Sequence, residues 1–238
     1  QVLVSNGSSL LLYLAIRILA PPGSQVILTD PCYACYENVV RLAGSEPVMV
    51  KLRHEDGFQL NVDDLKKRVT PKTRAILINS PMNPTGVVFS SEVMKAIAEL
   101  DIPVISDEIY ADLSFEDPPC SFLSYSPQTV AIHGFSKSYA MTGWRLGYMI
   151  TPLEWMSAAD RLHQNLMISA TEFVQEAGIS VLRKSVAYCE SMKTEFNRRR
   201  LFVLDRMHEL GMDLGYTPTG AFYVLYKYRD SRKFSLDL

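Results

Sequence analysis

The side chains best placed to do chemistry lie in one stretch, Phe135–Tyr148. Lys137 follows the apolar, β-prone run Thr129-Val130-Ala131-Ile132, and Arg145 comes eight residues after the lysine. A lysine at a strand end, desolvated and near other cations, can lose its proton near neutral pH and attack a carbonyl. An arginine close by offers a fork of donors suited to phosphate. Together they suit a cofactor that carries both a carbonyl and a phosphate. Taken alone, a lysine after a strand is more often a solvated surface residue.

A second group of residues supports the chemical reading. Pro103-Val104-Ile105-Ser106 reads as a buried strand that delivers Asp107-Glu108-Ile109-Tyr110 at its C-terminal end. Ligands of open α/β sheets bind beyond those ends. A carboxylate there can keep a pyridine nitrogen protonated, which makes pyridoxal phosphate an electron sink. Tyr110 is positioned to hydrogen-bond a phenolic oxygen on the same ring. The bland alternative for Asp107 is a helix cap. Upstream, Ala75–Ile78 is a continuous apolar run that ends in Asn79-Ser80-Pro81-Met82-Asn83-Pro84-Thr85-Gly86. Two X-Pro steps and a glycine stiffen that turn and present Asn83 as a positioned amide.

These residues need a scaffold. Val2–Val4, Gln25–Thr29, Pro47–Leu52, Ala75–Ile78, Pro103–Ser106, Val130–His133 and Leu146–Ile150 read as strands. Helices are expected near residues 10–19, 33–42, 62–69 (capped by Asn61) and 91–100. Alternation of this kind predicts an α/β fold with a predominantly parallel sheet flanked by helices. Residues 152–210 read as helices, and the Arg- and Glu-rich run around Glu195–Arg206 reads as a solvated face. Ala221–Tyr226 reads as a strand that opens a small C-terminal α+β domain. The expected division is a large domain over 1–190, then a linking helix and an incomplete small domain over 191–238.

The first of these strands leads into Asn6-Gly7-Ser8-Ser9 and then an apolar helix. This arrangement aims backbone N–H groups and a helix dipole at an anion. The competing reading is a simple helix cap. Tyr33 could stack on a planar cofactor. Cys32-Tyr33-Ala34-Cys35 is formally a CxxC, and a redox role is its less favoured reading.

Composition narrows the classes. The chain has 238 residues, 47% apolar and 21% charged, and its 24 Lys+Arg against 26 Asp+Glu give a net charge of -2. No basic excess points to nucleic acid or anionic membrane. No run reaches membrane-spanning length, and four cysteines in a chain this long favour a reducing cytoplasm over a disulfide framework. Gln1 lies inside a β-like run, and Ser235–Leu238 reads as a helix just beginning. The chain is therefore expected to be a piece of a longer protein.

In order and spacing, Asn6-Gly7-Ser8-Ser9, Pro31-Cys32-Tyr33, Asn83-Pro84-Thr85-Gly86, Asp107-Glu108-Ile109-Tyr110 and Ser136-Lys137 with Arg145 resemble the fold-type I, class I/II aminotransferases, which depend on pyridoxal phosphate. The resemblance implies that Lys137 holds the cofactor as a Schiff base and moves the proton between substrate and cofactor. It implies that Asp107 pairs with the ring nitrogen, that Asn83 and Tyr110 hydrogen-bond the ring hydroxyl, and that Tyr33 stacks on the ring. Gly7, Ser8, Ser9, Ser136 and Arg145 surround the phosphate in this reading. The implied substrates are an amino acid and a 2-oxo acid, and the implied assembly is a homodimer.

Two departures stand out. Many relatives carry a phosphate-binding serine three residues before the lysine, where this chain has Gly134, so one hydroxyl contact is expected to be missing. Neither Arg229 nor Arg232 matches the motif of the arginine that binds the substrate carboxylate. Two alternatives therefore stay open: a pyridoxal-phosphate-dependent β-lyase and a non-catalytic binding module. Met141-Thr142-Gly143-Trp144-Arg145 favours the aminotransferase.

Overall fold

The computed structural model describes residues 1–116 and 120–226. The strands are β1 (Val2–Ser5), β2 (Gln25–Asp30), β3 (Glu46–Lys51), β4 (Thr73–Asn79), β5 (Val104–Asp107), β6 (Thr129–Gly134) and β7 (Gly147–Ile150). The helices are α1 (Ser8–Leu19), α2 (Cys35–Leu42), α3 (Val62–Lys66), α4 (Ser91–Ala98), α5 (Leu153–Met167), α6 (Glu172–Lys184) and α7 (Val186–Glu209). The strands form one sheet in the order β1-β7-β6-β5-β4-β2-β3. Strands β3, β2, β4, β5 and β6 pair in parallel, whereas β7 runs antiparallel to both of its neighbours, β6 and β1. The predominantly parallel sheet follows, with one reversed strand that apolar content alone does not reveal.

The apolar runs of β4 and β5 are explained by burial on both faces. Side chains alternate across a strand. Ala75, Leu77 and Ile105 join the core beneath α1, with Leu11, Leu14, Ile16, Val130 and Ile132. Ile76, Ile78 and Val104 join the opposite core, with Met94, Ile97 and Phe122. Each such Leu or Ile contributes about 1.5–3 kcal/mol on full burial. Trp155 and Leu162 of α5 pack against the first core, so α1 lies between the sheet and α5. In α7, Met192 and Phe196 pack beside Ile109, Tyr110 and Leu113, just past the end of β5.

Local signals hold at the helix starts. Asn61 Oδ1 accepts from the N–H groups of Asp63 and Asp64, as a cap should. Helices α3 and α4 end earlier than their apolar pattern suggests, at Lys66 and Ala98.

One expectation is overturned. Ala221–Tyr226 is not a strand. Gly220 forms only an isolated antiparallel bridge with Ser114, and Ala221 sits at φ 55, in the left-handed region that interrupts an extended chain. The backbone N–H of Gly220 donates to Gly86 O and that of Ala221 to Leu113 O. The segment is thus pinned across two loops of the large sheet, where Ala221 and Tyr223 pack with Ile109, Tyr110 and Leu113.

Candidate functional site

The carboxyl ends of β2, β4, β5 and β6 and the start of α1 converge on a cavity of about 190 Å3. Its lining includes Ser8, Ser9, Tyr33, Asn83, Asp107, Tyr110, Ser136, Lys137 and Arg145. Nine of the ten anticipated site residues therefore share one cavity. Gly7, the tenth, lies directly behind Arg145.

Asp107 is the last residue of β5 and is 4% exposed. Its Oδ2 accepts from the Tyr36 hydroxyl at 2.7 Å and its Oδ1 from the Ile109 N–H at 3.2 Å. Burial pushes its carboxyl up from 3.8 to about 6, against the pull of those two hydrogen bonds and of His133. A buried carboxyl in that condition gains from a cation placed against it. Its neighbour Glu108 turns the other way. Its Oε1 accepts from Ser106 Oγ, Ser121 Oγ and the Phe122 N–H, and its Oε2 lies 3.1 Å from His133 Nε2. Burial raises the Glu108 carboxyl, but His133 and these donors outweigh it and hold it below its ordinary value. Among the described residues, Asp107 is the one carboxylate lining the cavity.

Asn83 and Tyr110 meet on a single oxygen. The Tyr110 hydroxyl lies 2.7 Å from the Tyr223 hydroxyl, to which Asn83 Nδ2 donates at 3.2 Å. That shared oxygen is phenolic, as is the ring hydroxyl of pyridoxal phosphate, so the pair is already arranged around an oxygen of that kind. Lys137 Nζ stands 5.8 Å from the Tyr110 ring centroid and 5.7 Å from that of Phe222. Tyr33 lies edge-on to Tyr36 at 5.4 Å and is 37% exposed, leaving one aromatic face available to the cavity.

The start of α1 decides between cap and anion site. Gly7 is the N-cap residue, no side chain among the described residues caps the helix, and no acidic residue occupies its first turn. Asn6 Oδ1 accepts instead from the Thr171 N–H. The first N–H groups of α1 remain directed outward, as an anion requires. A Cβ on Gly7 would come within 2.6 Å of Arg145 Nη2, so the guanidinium seats directly on the glycine backbone. Arg145 itself is held at φ 55 and donates to Thr142 O at 3.0 Å. At Gly134, an added Cβ would meet Ile109 Cδ1 at 2.6 Å. The space beside this residue is occupied by the Ile109 side chain.

Tyr36, Thr142 and Tyr223 also line the cavity and had not been singled out. Tyr36 lies on the first turn of α2, three residues beyond Tyr33. Burial, with Asp30 and Glu37 nearby, raises the Cys32 thiol to about 11, and its Sγ points to Tyr33 O, surroundings that disfavour the thiolate a redox pair needs.

This topology, with its site at the carboxyl edge of the sheet, defines the large domain of the pyridoxal-phosphate-dependent transferases. The chain belongs to the aminotransferase class I and II family, whose profile matches residues 1–237. It is 38% identical over its whole length to the (5-formylfuran-3-yl)methyl phosphate transaminase of Methanocaldococcus jannaschii, covering 63% of that protein. It is 36% identical, over 97% of its length, to an aspartate aminotransferase of Pyrococcus abyssi, of which it covers 62%. The crystal structure of the aromatic aminotransferase from Pyrococcus horikoshii superposes with a TM-score of 0.92 at 35% identity, covering 98% of this chain and 65% of that one. The chain spans about 60% of the length of the curated relatives it matches.

Proposed function

We propose that the protein is a pyridoxal-phosphate-dependent aminotransferase that moves an amino group from an amino acid to a 2-oxo acid. The observation that carries this reading is the convergence of Lys137, Asp107, the Asn83–Tyr110 pair and the Arg145-backed start of α1 on one cavity. When bound, pyridoxal phosphate supplies a carbonyl for amines and a protonated ring that takes up the electron pair left at the substrate carbon.

The chain's own residues supply the rest. Arg145 and the N–H groups of Ser8 and Ser9, with the Ser136 hydroxyl, bind the phosphate and set the position of the ring. Asp107 holds the proton on the ring nitrogen. Asn83 and Tyr110 would hydrogen-bond the ring hydroxyl. Tyr33 covers one face of the ring. Lys137 would hold the cofactor's carbonyl carbon through Nζ, and its free amine would be the base for the proton on the substrate Cα, a transfer worth about 10²–10⁴-fold in rate.

Adding pyridoxal phosphate is expected to produce a visible absorption band that borohydride fixes to Lys137. A subsequent amino acid should convert the band to that of the pyridoxamine form. Release of pyruvate or a similar product would instead indicate a β-lyase, and an unchanged band a binding module.

Gly7→Ala is expected to weaken cofactor affinity by about 10–100-fold. The Cβ would displace Arg145, and alanine at φ 89 costs on the order of 1–2 kcal/mol. Fluorescence titration with pyridoxal phosphate measures the loss.

Cofactor affinity should also depend on pH through Asp107, whose carboxyl titrates at about 6 in the free protein. A cationic ring nitrogen lowers that value in the complex. Binding is therefore strongest above pH 6 and weakens, by up to about tenfold per pH unit, as pH falls through 6. Phosphate protonation contributes in the same range. Asp107→Asn isolates the carboxylate's share, because the difference between the two proteins' affinities should narrow below pH 6.

The assembly we infer is a homodimer. Trp144 and Phe173 line an open hollow beside Arg145, and Ile168 is 82% exposed on the loop before α6. A second copy would cover these apolar side chains and close the phosphate end. The four free cysteines favour a reducing compartment, the cytoplasm. The division into a large domain over 1–190 and a smaller unit beyond it is supported by the last strand of the sheet, β7, ending at Ile150.

A further inference from the structure

We infer that Asn79 is a positioning residue that locks together the two residues that read the nitrogen and the hydroxyl of the cofactor ring, Asp107 and Asn83. The inference rests on the proposed cofactor site. Asn79 closes β4, lies opposite Asp107 in the parallel register and is 3% exposed. Its Nδ2 donates to the Asp107 carbonyl at 2.8 Å, and its Oδ1 accepts from the Asn83 N–H at 2.8 Å. One planar amide therefore spans from the end of β5 to the turn that carries Asn83.

Both bonds are made to backbone, so they fix where each residue sits and leave its side chain free for the ring. The Asp107 carboxylate is aimed by Tyr36 and by the Ile109 N–H. The Asn83 amide is aimed at the Tyr223 oxygen. Ring-nitrogen and ring-hydroxyl contacts lie at fixed separation on a rigid heterocycle, so their protein partners must keep a matching separation. A displacement of about 1 Å at such a site costs on the order of 10²-fold. Ordinary β pairing ends at Asn79, and beyond it the side-chain amide maintains the spacing.

Loss of the amide is expected to act on both contacts through one cause. In the full chain, Asn79→Ala should weaken pyridoxal phosphate binding by about 10–100-fold. It should also shift the pH midpoint of the visible band in the same direction as Asn83→Ala. In the double variant Asn79→Ala/Asn83→Ala, the loss of affinity should be smaller than the two single losses combined, because the part of the Asn79 effect that acts through Asn83 is already gone. Asn79→Ser keeps a polar group in the buried position but is too short to reach both partners, so it should reproduce the loss if the alanine variant folds poorly.

Lower thermal stability with affinity and midpoint within twofold of the parent would overturn the inference and leave Asn79 as a core residue. Additive losses from Asn79 and Asn83 would overturn it as well. Failure of the parent protein to develop a visible band would instead remove the cofactor reading itself, and this inference with it.

Discussion

Replacement of Lys137 by alanine is expected to abolish borohydride trapping and lower transamination by at least about 10⁴-fold, while leaving a folded protein. Lys137 Nζ stands over the Tyr110 and Phe222 rings at 5.8 and 5.7 Å, contacts whose loss costs little stability. The backbone of the loop is held independently, by the Ala140 N–H on Lys137 O and the Met141 N–H on Phe135 O. Two functions disappear together with the amine: the covalent hold on the carbonyl and the base for the substrate proton. The base alone is worth about 10²–10⁴-fold, and no second amine lines the cavity among the described residues. Lys137→Arg should be as inactive as alanine, since a guanidinium keeps its charge and does not act as a nucleophile. Mass spectrometry after borohydride, with circular dichroism for folding, checks both halves. An adduct of undiminished yield on the alanine variant would place the reactive amine elsewhere.

The second large effect has two opposite signs. Asp107→Asn should lower the rate by about 10²–10⁴-fold, the range expected when one partner of a buried ion pair of about 3–5 kcal/mol is removed. The same substitution should stabilise the cofactor-free protein. A rise from 3.8 to about 6 for the Asp107 carboxyl corresponds to about 3 kcal/mol of destabilisation when it is ionised. The sign follows from proton binding. The folded state holds this proton more tightly than the unfolded chain, so the parent loses stability as pH rises from about 4 to about 6, and the full penalty stands above pH 6. Asparagine avoids that penalty and keeps an acceptor for the Ile109 N–H or the Tyr36 hydroxyl. Urea melts should show the variant more stable by about 1–3 kcal/mol at pH 8, with the gap closing by pH 4. Equal stability at both values would mean that the carboxylate is not strained by its burial. A site residue that costs stability and returns it as activity is a common trade.

Much of this was legible in the sequence because the site residues sit at strand ends. The apolar runs before Asp107 and Lys137 announced β5 and β6, and the alternation of strands and helices put both at one edge of a sheet. Asn83 was marked by its prolines. Residues that act through a partner distant in sequence were harder to see. Tyr36 lies 71 residues before Asp107, and nothing local distinguishes it from a packed aromatic. Asn79 looked like the first residue of a turn, although its amide joins two loops. Tyr223 fell in a segment whose aromatic, β-branched composition mimics a strand, and the left-handed Ala221 that breaks it has no signature in the residue type. The absence of serine at position 134 was visible as a gap, but the Ile109 side chain beside it was not. Arg229 and Arg232 lie outside the described residues.

The reversed strand β7 has a consequence for inheritance. Because β6 and β7 are antiparallel neighbours, the segment from Phe135 to Leu146 is a hairpin connection, and Lys137 and Arg145 ride on it together. The covalent anchor and the phosphate anchor are thus carried by one short cassette whose two stems hydrogen-bond each other. In the parallel part of the sheet, successive site residues are separated by longer crossovers, among them α4 between Asn83 and Asp107, and length changes there can be absorbed far from the cavity. Within the hairpin no such slack exists. A single inserted residue would alter the reach from carbonyl to phosphate, so this connection should tolerate substitutions of side chain far better than changes of length.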